Sequence, residues 1–504
     1  MKLSIILKTA NSKLLLCIQV VILIISACLE TEAKPVKVTI LHWNDLHSKN
    51  LPSKITQNSE TVTVGGAANL AGYLNYYRVI HEPVILLNAG DEFTGTPICY
   101  ATKGYSQLEI LNVIQPDAFT IGNHEFDFGV ANMLSVFKKA TFPVLLGNVV
   151  HEDNGELLFP ADTILNVNGV RIGIIGVLTD ALYEVSTQKA TKGILVISSV
   201  DAVRKSLSRL TPQTDIQICL SHQGIKQDRA LAEKIGSDLE IIVGGHSHTP
   251  LYEPEKINGV FILQAGSKGR FLGIAEMNID TFRNRLIGLD ARLEEIVEGK
   301  YPPDENVLRI VAKQENSLSD ELDKVIGTLE TPWQRRFNSE SNIGNFIADA
   351  FRQATGADIT FINPGGLRKN LEAGKITVRD ILEICPFHNN LVRFQMTGKE
   401  LFEYAAMRST RSINFLQVSG MKMRFKDGQV LSLSVGNEIV QQEKLYSIAT
   451  LNFVADHFSE YFGWEKDSGE FEILPLIDNE IVIDAVKKVG RINAQIENRI
   501  VFEP

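Results

Sequence analysis

The chain has 504 residues, more than one hydrophobic core usually serves, so two domains are expected. Apolar residues make 44% of it and charged residues 22%, which excludes a disordered chain, a collagen and a multi-span membrane protein. The formal charge of -10 offers no basic grip for a nucleic-acid polymer, and so acidic a chain would need local cations or metal to handle anions.

Lys2, Lys8 and Lys13 precede an uncharged run from Leu14 to Ile25. That run is twelve residues, against about 20 for a membrane-spanning helix. A basic start, a short apolar stretch and small residues predict an export signal. Two processing sites compete: cleavage after Ala33, removing residues 1–33, or a lipobox at Ile25-Ser26-Ala27-Cys28, removing residues 1–27 and leaving Cys28 lipidated at a membrane. The protein is therefore expected outside the cytoplasm, in a periplasm or secreted. Arg499 to Pro504 has no apolar tail, so no GPI anchor is expected. Past Ala33 only Cys99, Cys219 and Cys385 remain, an odd set that reads as buried thiols rather than a disulfide framework.

From Val36 onward, β-rich runs end in metal-competent side chains. Val36 to Leu41 leads to Asn44-Asp45-Leu46-His47, and Val84 to Leu87 leads to Gly90-Asp91. Ala118 to Ile121 leads to Gly122-Asn123-His124-Glu125. Ile216 to Leu220 leads to Ser221-His222, and Leu239 to Val243 leads to Gly244-Gly245-His246-Ser247-His248. Helical stretches such as Ala67 to Val79 and Asp201 to Leu210 lie between them. This alternation predicts an α/β layered domain with its site beyond the carboxyl ends of the strands. Carboxylates, an amide and imidazoles gathered from five strand-end loops suit two divalent ions, and the neighbouring glycines allow tight turns.

These blocks, in this order, resemble the calcineurin-like metallophosphoesterases, and more closely the secreted 5'-nucleotidases that include periplasmic UDP-sugar hydrolases. The resemblance runs from about Val36 to beyond Phe453. It implies a four-layer α/β/β/α phosphoesterase domain over residues 36–300, a linker helix within 301–325, and an α/β substrate-binding domain over 326–504. It implies that Asp45, His47, Asp91 and His248 hold one ion, and that Asp91, Asn123, His222 and His246 hold the other, with Asp91 bridging. Many relatives have Gln or Asn where His248 stands. Zn, Mn or another first-row ion fits such mixed ligands. Two ions about 3.5–4 Å apart clamp both oxygens of a phosphoryl transfer and activate water as hydroxide. His124 is implied to face the phosphate rather than a metal, with Asp127 fixing its tautomer. Glu125 and Phe126 read as packing residues.

The composition shifts near Pro302-Pro303, and Asp304 to Lys324 reads as a charged helix, consistent with a linker. Glu340-Ser341-Asn342 opens the expected second domain. Asn363-Pro364-Gly365-Gly366-Leu367-Arg368 resembles the family's substrate loop, in which two glycines admit a ligand and Arg368 offers a forked donor to phosphate. Arg336 is a looser candidate for the same task. Phe387 and Phe453 match the aromatics that sandwich the nucleobase in relatives, with Asn389 as a base or ribose contact. After Phe453 the chain departs from the family: Val454 to Tyr461 replaces Gly-Gly-Asp-Gly, and by simple count Ser459 falls at the family's ribose-binding Asp, with Glu460 and Asp456 as alternatives.

The expectation is an exported dimetal phosphohydrolase acting on 5'-nucleotides or related nucleotides. Its alternatives are an esterase for UDP-sugars, 2',3'-cyclic nucleotides or a non-nucleotide ester, and a nucleotide-binding protein without catalysis. The partner is a small phosphate ester, not a nucleic-acid polymer.

Overall fold

The computed structural model describes residues 35–57, 60–81, 83–410 and 414–503. The expected leader and Cys28 lie outside the described residues. The first half is built on two six-stranded sheets. In one, Val36–Trp43, Val84–Asn88, Ala118–Thr120 and Val144–Leu145 run parallel, and Phe271–Asp280 and Arg285–Glu295 add an antiparallel edge. In the other, Val170–Leu178, Ile216–His222, Ile241–Gly244 and Val260–Gln264 run parallel between the antiparallel Asp162–Val167 and Glu255–Ile257.

These strands are apolar on both faces because both faces are covered. Val38, Ile40, Ile85 and Leu87 meet Ile172, Ile174, Ile218 and Val243 in a layer between the sheets. Leu41, Trp43 and Leu86 point the other way, against Tyr73 and Leu74 of the helix Ala67–Ile80. Ile175, Val177 and Cys219 pack on Val203, Leu207 and Leu231 of the outer helices Ser199–Leu210 and Ile225–Ile235. The layering is α/β/β/α, as the resemblance implies. Cys99, Cys219 and Cys385 are buried free thiols.

The segment expected as a linker folds as the helix Glu305–Leu322, capped by the Asp304 carboxylate, which accepts from Asn306 and Val307 N–H at 2.9 and 3.0 Å. Charged as it is, the helix is not wholly solvated. Val307 and Val311 join the core of the first half, and Gln314 Nε2 donates to the Ser106 carbonyl at 3.1 Å.

The second half has its own core around a five-stranded sheet, in the order Gln417–Ser419, Ile359–Ile362, Leu445–Leu451, Asn390–Thr397, Glu472–Ile477. The helix Asn342–Thr355 starts where Ser341 Oγ accepts from Gly344 N–H and stops at Gly356, which adopts φ 67°. Its Ile343, Ile347 and Phe351, one turn apart, face that core. Where the resemblance implies a glycine loop, this chain forms two short helices, Asn452–Asp456 and Phe458–Phe462. The reason is apolar spacing: Val454, Phe458 and Phe462 recur every fourth residue and all enter the core. The halves meet through a Lys49–Glu383 ion pair at 3.0 Å and a 2.7 Å contact from His457 Nε2 to the Tyr183 carbonyl.

Candidate active site

The five metal-competent blocks arrive at one place because both sheets deliver the ends of their parallel strands to the same edge. The chain bends sharply there. Asp45, His47, Asp91, His246 and His248 all adopt positive φ, between 50° and 73°. For non-glycine residues each such turn costs about 1–2 kcal/mol, so the surrounding structure must over-determine it. Close packing does so. A Cβ at Gly122 would lie 2.2 Å from Asp91 Oδ1, and one at Gly245 would lie 2.7 Å from the Ala89 carbonyl. Glycine is required at both positions for the loops to approach.

The donor atoms form overlapping groups: Asp45, His47 and His248; Asp91, His222 and His246; and His47, Asp91 and His124. His248 Nε2 lies 3.2 Å from Asp45 Oδ1 and 2.9 Å from His47 Nε2. His47 Nε2 is 3.9 Å from both Asp45 Oδ1 and Asp91 Oδ2, and His222 Nε2 is 3.1 Å from Asp91 Oδ2. Asn123 Oδ1 sits 2.8 Å from His246 Nδ1. Asp91 thus belongs to groups on both sides of the site.

The donor set fits divalent cations. His222 Nδ1 is engaged by the Ala89 carbonyl at 2.5 Å, while its buried Nε2, 3.1 Å from Asp91 Oδ2, is not aligned for a hydrogen bond. Burial keeps His47 well below the ordinary imidazole value and lowers His246 to about 4, leaving neutral rings able to ligate. Burial opposes charge on His222 as well, yet Asp91 and Asp45 push it up to about 10. Asp91 is held well below the carboxylate range by His222 and His124 despite its own burial. The two carboxylates therefore demand positive charge between these rings, which a proton or a metal ion can supply. Imidazole, carboxylate and amide together suit first-row divalent ions.

Residues behind the donors hold them in place. Glu125 Oε1 accepts from Glu92 and Phe93 N–H at 2.8 and 3.0 Å, and its Oε2 accepts from Asp91 and Gly122 N–H at 3.0 and 2.6 Å. One buried carboxylate thereby ties two ligand loops together. Burial and the Asp91 charge push it up to about 7, but four N–H donors leave no acceptor for a carboxyl proton. Asn44 Nδ2 donates to Asp45 Oδ2 at 2.6 Å, and its Oδ1 accepts from Ala265 N–H at 2.9 Å. Both residues stand inside the sequence blocks, and only that adjacency could have signalled their part.

His124 Nδ1 lies 2.8 Å from Asp127 Oδ2, which also accepts from Thr94 Oγ1 at 2.6 Å. That contact aims Nε2 into the site, 4.0 Å from Asp91 Oδ2. Burial works against charge on His124, but Asp127 and Asp91 outweigh it and raise its pKa.

The facing wall comes from the second half of the chain. A cleft of about 750 Å³ is lined by Asp91, Asn123, His124, Asp127, His246 and His248 on one side, and by Asn363, Gly366, Arg368, Phe387, Asn389 and Phe453 on the other. Phe387 stacks on His124, with ring centroids 5.8 Å apart at 19°, and the Arg368 guanidinium lies 5.7 Å from the Phe387 centroid. Phe453 packs on His457 at 4.4 Å. The two aromatics share the cleft, each backed by an imidazole.

Two looser sequence candidates are placed elsewhere. Arg336 offers its carbonyl to Gln417, whereas neighbouring Arg335 donates from Nη1 to the Leu367 carbonyl at 2.8 Å, beside Arg368. Ser459 does not line the cleft, but Glu460 and Tyr461 do. A helix turns each residue by about 100° relative to the last, so a count taken along a loop does not transfer. Asp456 turns to the other half, accepting from Gln188 N–H at 3.3 Å.

Comparison with known proteins agrees with this geometry. The calcineurin-like phosphoesterase family matches residues 38–250, and the 5'-nucleotidase C-terminal domain matches residues 325–466. Protein 5NUC of Lutzomyia longipalpis is 28% identical, covering 95% of each chain. Protein UshA of Escherichia coli is 26% identical, covering 94% of each. The crystal structure of a 5'-nucleotidase precursor from Thermus thermophilus superposes with a TM-score of 0.82 at 26% identity, over 93% of this chain and all of that one. Strand-end donors, layered fold and relatives converge: the chain belongs to the calcineurin-like metallophosphoesterases of the 5'-nucleotidase type, and it is a metal-dependent phosphoric ester hydrolase.

Proposed function

We propose that the protein is an exported 5'-nucleotidase working with two divalent ions. The observation that carries this reading is the single cleft in which Asp91, His124, Arg368, Phe387 and Phe453 meet. Hydrolytic groups and flat aromatic surfaces so close together suit a phosphate joined to a base. Residues 36–300 form the hydrolytic unit, 301–325 the linker and 326–504 the substrate-binding unit.

In this reading Asp45, His47, Asp91 and His248 hold one ion and Asp91, Asn123, His222 and His246 the other. When bound, such ions neutralise phosphoryl charge and acidify water at neutral pH. The chain's own groups do the rest. His124, oriented by Asp127, presents Nε2 to the phosphoryl group and stabilises charge developing there. Arg368 directs its forked N–H donors at phosphoryl oxygens, supported by Arg335. Gly366 lets the backbone approach, and Asn363 lines the same turn. Phe387 and Phe453 stack on the base, and Asn389 reads its edge. The second half covers the site and excludes water. The basic start, short apolar run and candidate lipobox support export, with Cys28 as the alternative anchor.

A second reading is a larger nucleotide ester such as a UDP-sugar. A cleft of about 750 Å³ supports it, as this lies in the upper part of the range of roughly 300–1,000 Å³ for ligand pockets.

The test is phosphate release from AMP, UDP-glucose, 2',3'-cyclic AMP, glucose 6-phosphate and p-nitrophenyl phosphate, after EDTA treatment and after Mn, Zn, Co or Mg is restored. Metal-restored turnover with AMP as the best substrate is expected. Turnover that survives EDTA, or equal turnover of all esters, contradicts the reading.

A further inference from the structure

The base-side wall of the cleft carries two adjacent amides, and both are turned the same way. Asn389 Nδ2 donates to Asp478 Oδ2 at 3.2 Å. Asn390 Nδ2 donates to the Leu474 carbonyl at 3.2 Å. Both residues line the cleft. Each NH2 group thus has one of its two N–H donors held by the protein, which turns the amide oxygen away from that partner and leaves it as an acceptor.

The orientation of Asn389 is enforced. Asp478 is buried at the start of the helix Asp478–Val489. Its N–H donates to the Asn389 carbonyl at 3.0 Å, and its Oδ1 accepts from Asn479 N–H at 2.7 Å. Asn479 Nδ2 in turn donates to the Cys385 carbonyl at 3.0 Å, pinning the start of the segment that carries Phe387. An ionised carboxylate only accepts, so Asn389 must show it the NH2 side.

We infer that Asp478 is a positioning residue that holds Asn389 with its oxygen toward the cleft, and that the cleft therefore prefers bases bearing an exocyclic amine. This rests on the nucleotide reading above. An amine offers a hydrogen to the Asn389 oxygen. The corresponding oxo base offers a carbonyl at that position, so the Asn389 oxygen would face another oxygen. Mispairing a site built for hydrogen bonds typically costs roughly ten- to hundredfold in kcat/KM.

The experiment compares kcat/KM for AMP with IMP and for CMP with UMP, on the metal-loaded full protein at pH 8. That is above the value of about 7 to which burial pushes the Asp478 carboxyl. Ratios taken within one preparation cancel any loss of folded protein. The unmodified enzyme should favour AMP over IMP and CMP over UMP by about tenfold or more. Asp478→Asn should reverse this preference. The new side chain keeps its oxygen on Asn479 N–H and sets its NH2 against that of Asn389. Asn389 then turns over and presents a donor, which matches the oxo edge. Asn389→Ala, which leaves Asp478 in place, should bring both ratios toward unity and decides the matter if Asp478→Asn does not fold. Nucleotides hydrolysed with equal or oxo-favouring ratios, or an amine preference that survives Asn389→Ala, would overturn this inference while leaving the nucleotidase reading intact. Absence of turnover on every nucleotide, with p-nitrophenyl phosphate still cleaved, would overturn the nucleotidase reading itself.

Discussion

The two walls of the cleft are built on different principles. On the hydrolytic wall, Asp45, His47, Asp91, His246 and His248 sit in strained turns at strand ends, braced by glycine contacts and by the four N–H bonds to Glu125. On the facing wall, the proposed base wall, Phe387 lies in a turn, Phe453 in a short helix, and Asn389 is hydrogen-bonded to Asp478. The first wall stores strain to fix charge in place. The second is proposed to leave specificity to a few hydrogen bonds that one substitution can invert. Chemistry should therefore fail abruptly when the first wall is altered, whereas the second should alter which substrate is used.

Outside the proposed metal ligands, the largest expected effect belongs to His124. His124→Ala should lower turnover by roughly 10²–10³ on every phosphate ester while bound metal is kept. Metal analysis beside steady-state kinetics checks this, and a collapse in metal content would make His124 a ligand. Glu125→Gln comes next. It sets an NH2 group against backbone N–H donors, so the loss should be about 1–3 kcal/mol of stability per unsatisfied pair. A thermal melt with and without Mn should show it, and an unchanged melting temperature would remove Glu125 from the bracing.

Effects on the base wall should be smaller and substrate-dependent. Phe387→Ala or Phe453→Ala should weaken AMP by about 1–3 kcal/mol, roughly ten- to hundredfold. The loss should appear mainly in KM, with p-nitrophenyl phosphate little affected. Equal losses on both substrates would make the rings core residues. The smallest effect concerns the sugar. Counting along the chain puts Ser459 at the ribose position and so predicts little choice between AMP and dAMP, but Glu460 is the residue that lines the cleft. A ribose preference of roughly three- to tenfold, lost in Glu460→Gln, is expected for one partly solvated charged hydrogen bond. Equal rates on AMP and dAMP would return the site to the simple count.

Much of the hydrolytic wall is legible in the sequence because each of its pieces is a short string at the end of an apolar run. Asn44 to His47, Gly122 to Glu125 and Gly244 to His248 each state their chemistry within five residues. The layered fold follows from the alternation of those runs with helical stretches. What brings the pieces together is not local. Glu125 reads as packing until its carboxylate is seen on Asp91, Glu92 and Phe93, more than thirty residues earlier. Phe387 reads as a base platform, yet its stacking on His124 requires contact between the two halves of the chain. Asp478 lies 89 residues from Asn389 and carries no motif at all. After Phe453, apolar spacing favoured helices over a loop, so positions counted from relatives lost their meaning.

Asp91 is proposed to serve both ions, and Asp91→Asn tests that sharing most directly. The change keeps the shape of the side chain and removes the charge that both groups share. Metal content per chain, measured after loading with Mn and desalting, should fall from two ions to one or none, and phosphate release from AMP should fall with it by roughly 10³ or more. An Asp91→Asn protein that keeps two ions and near-normal turnover would contradict the shared site.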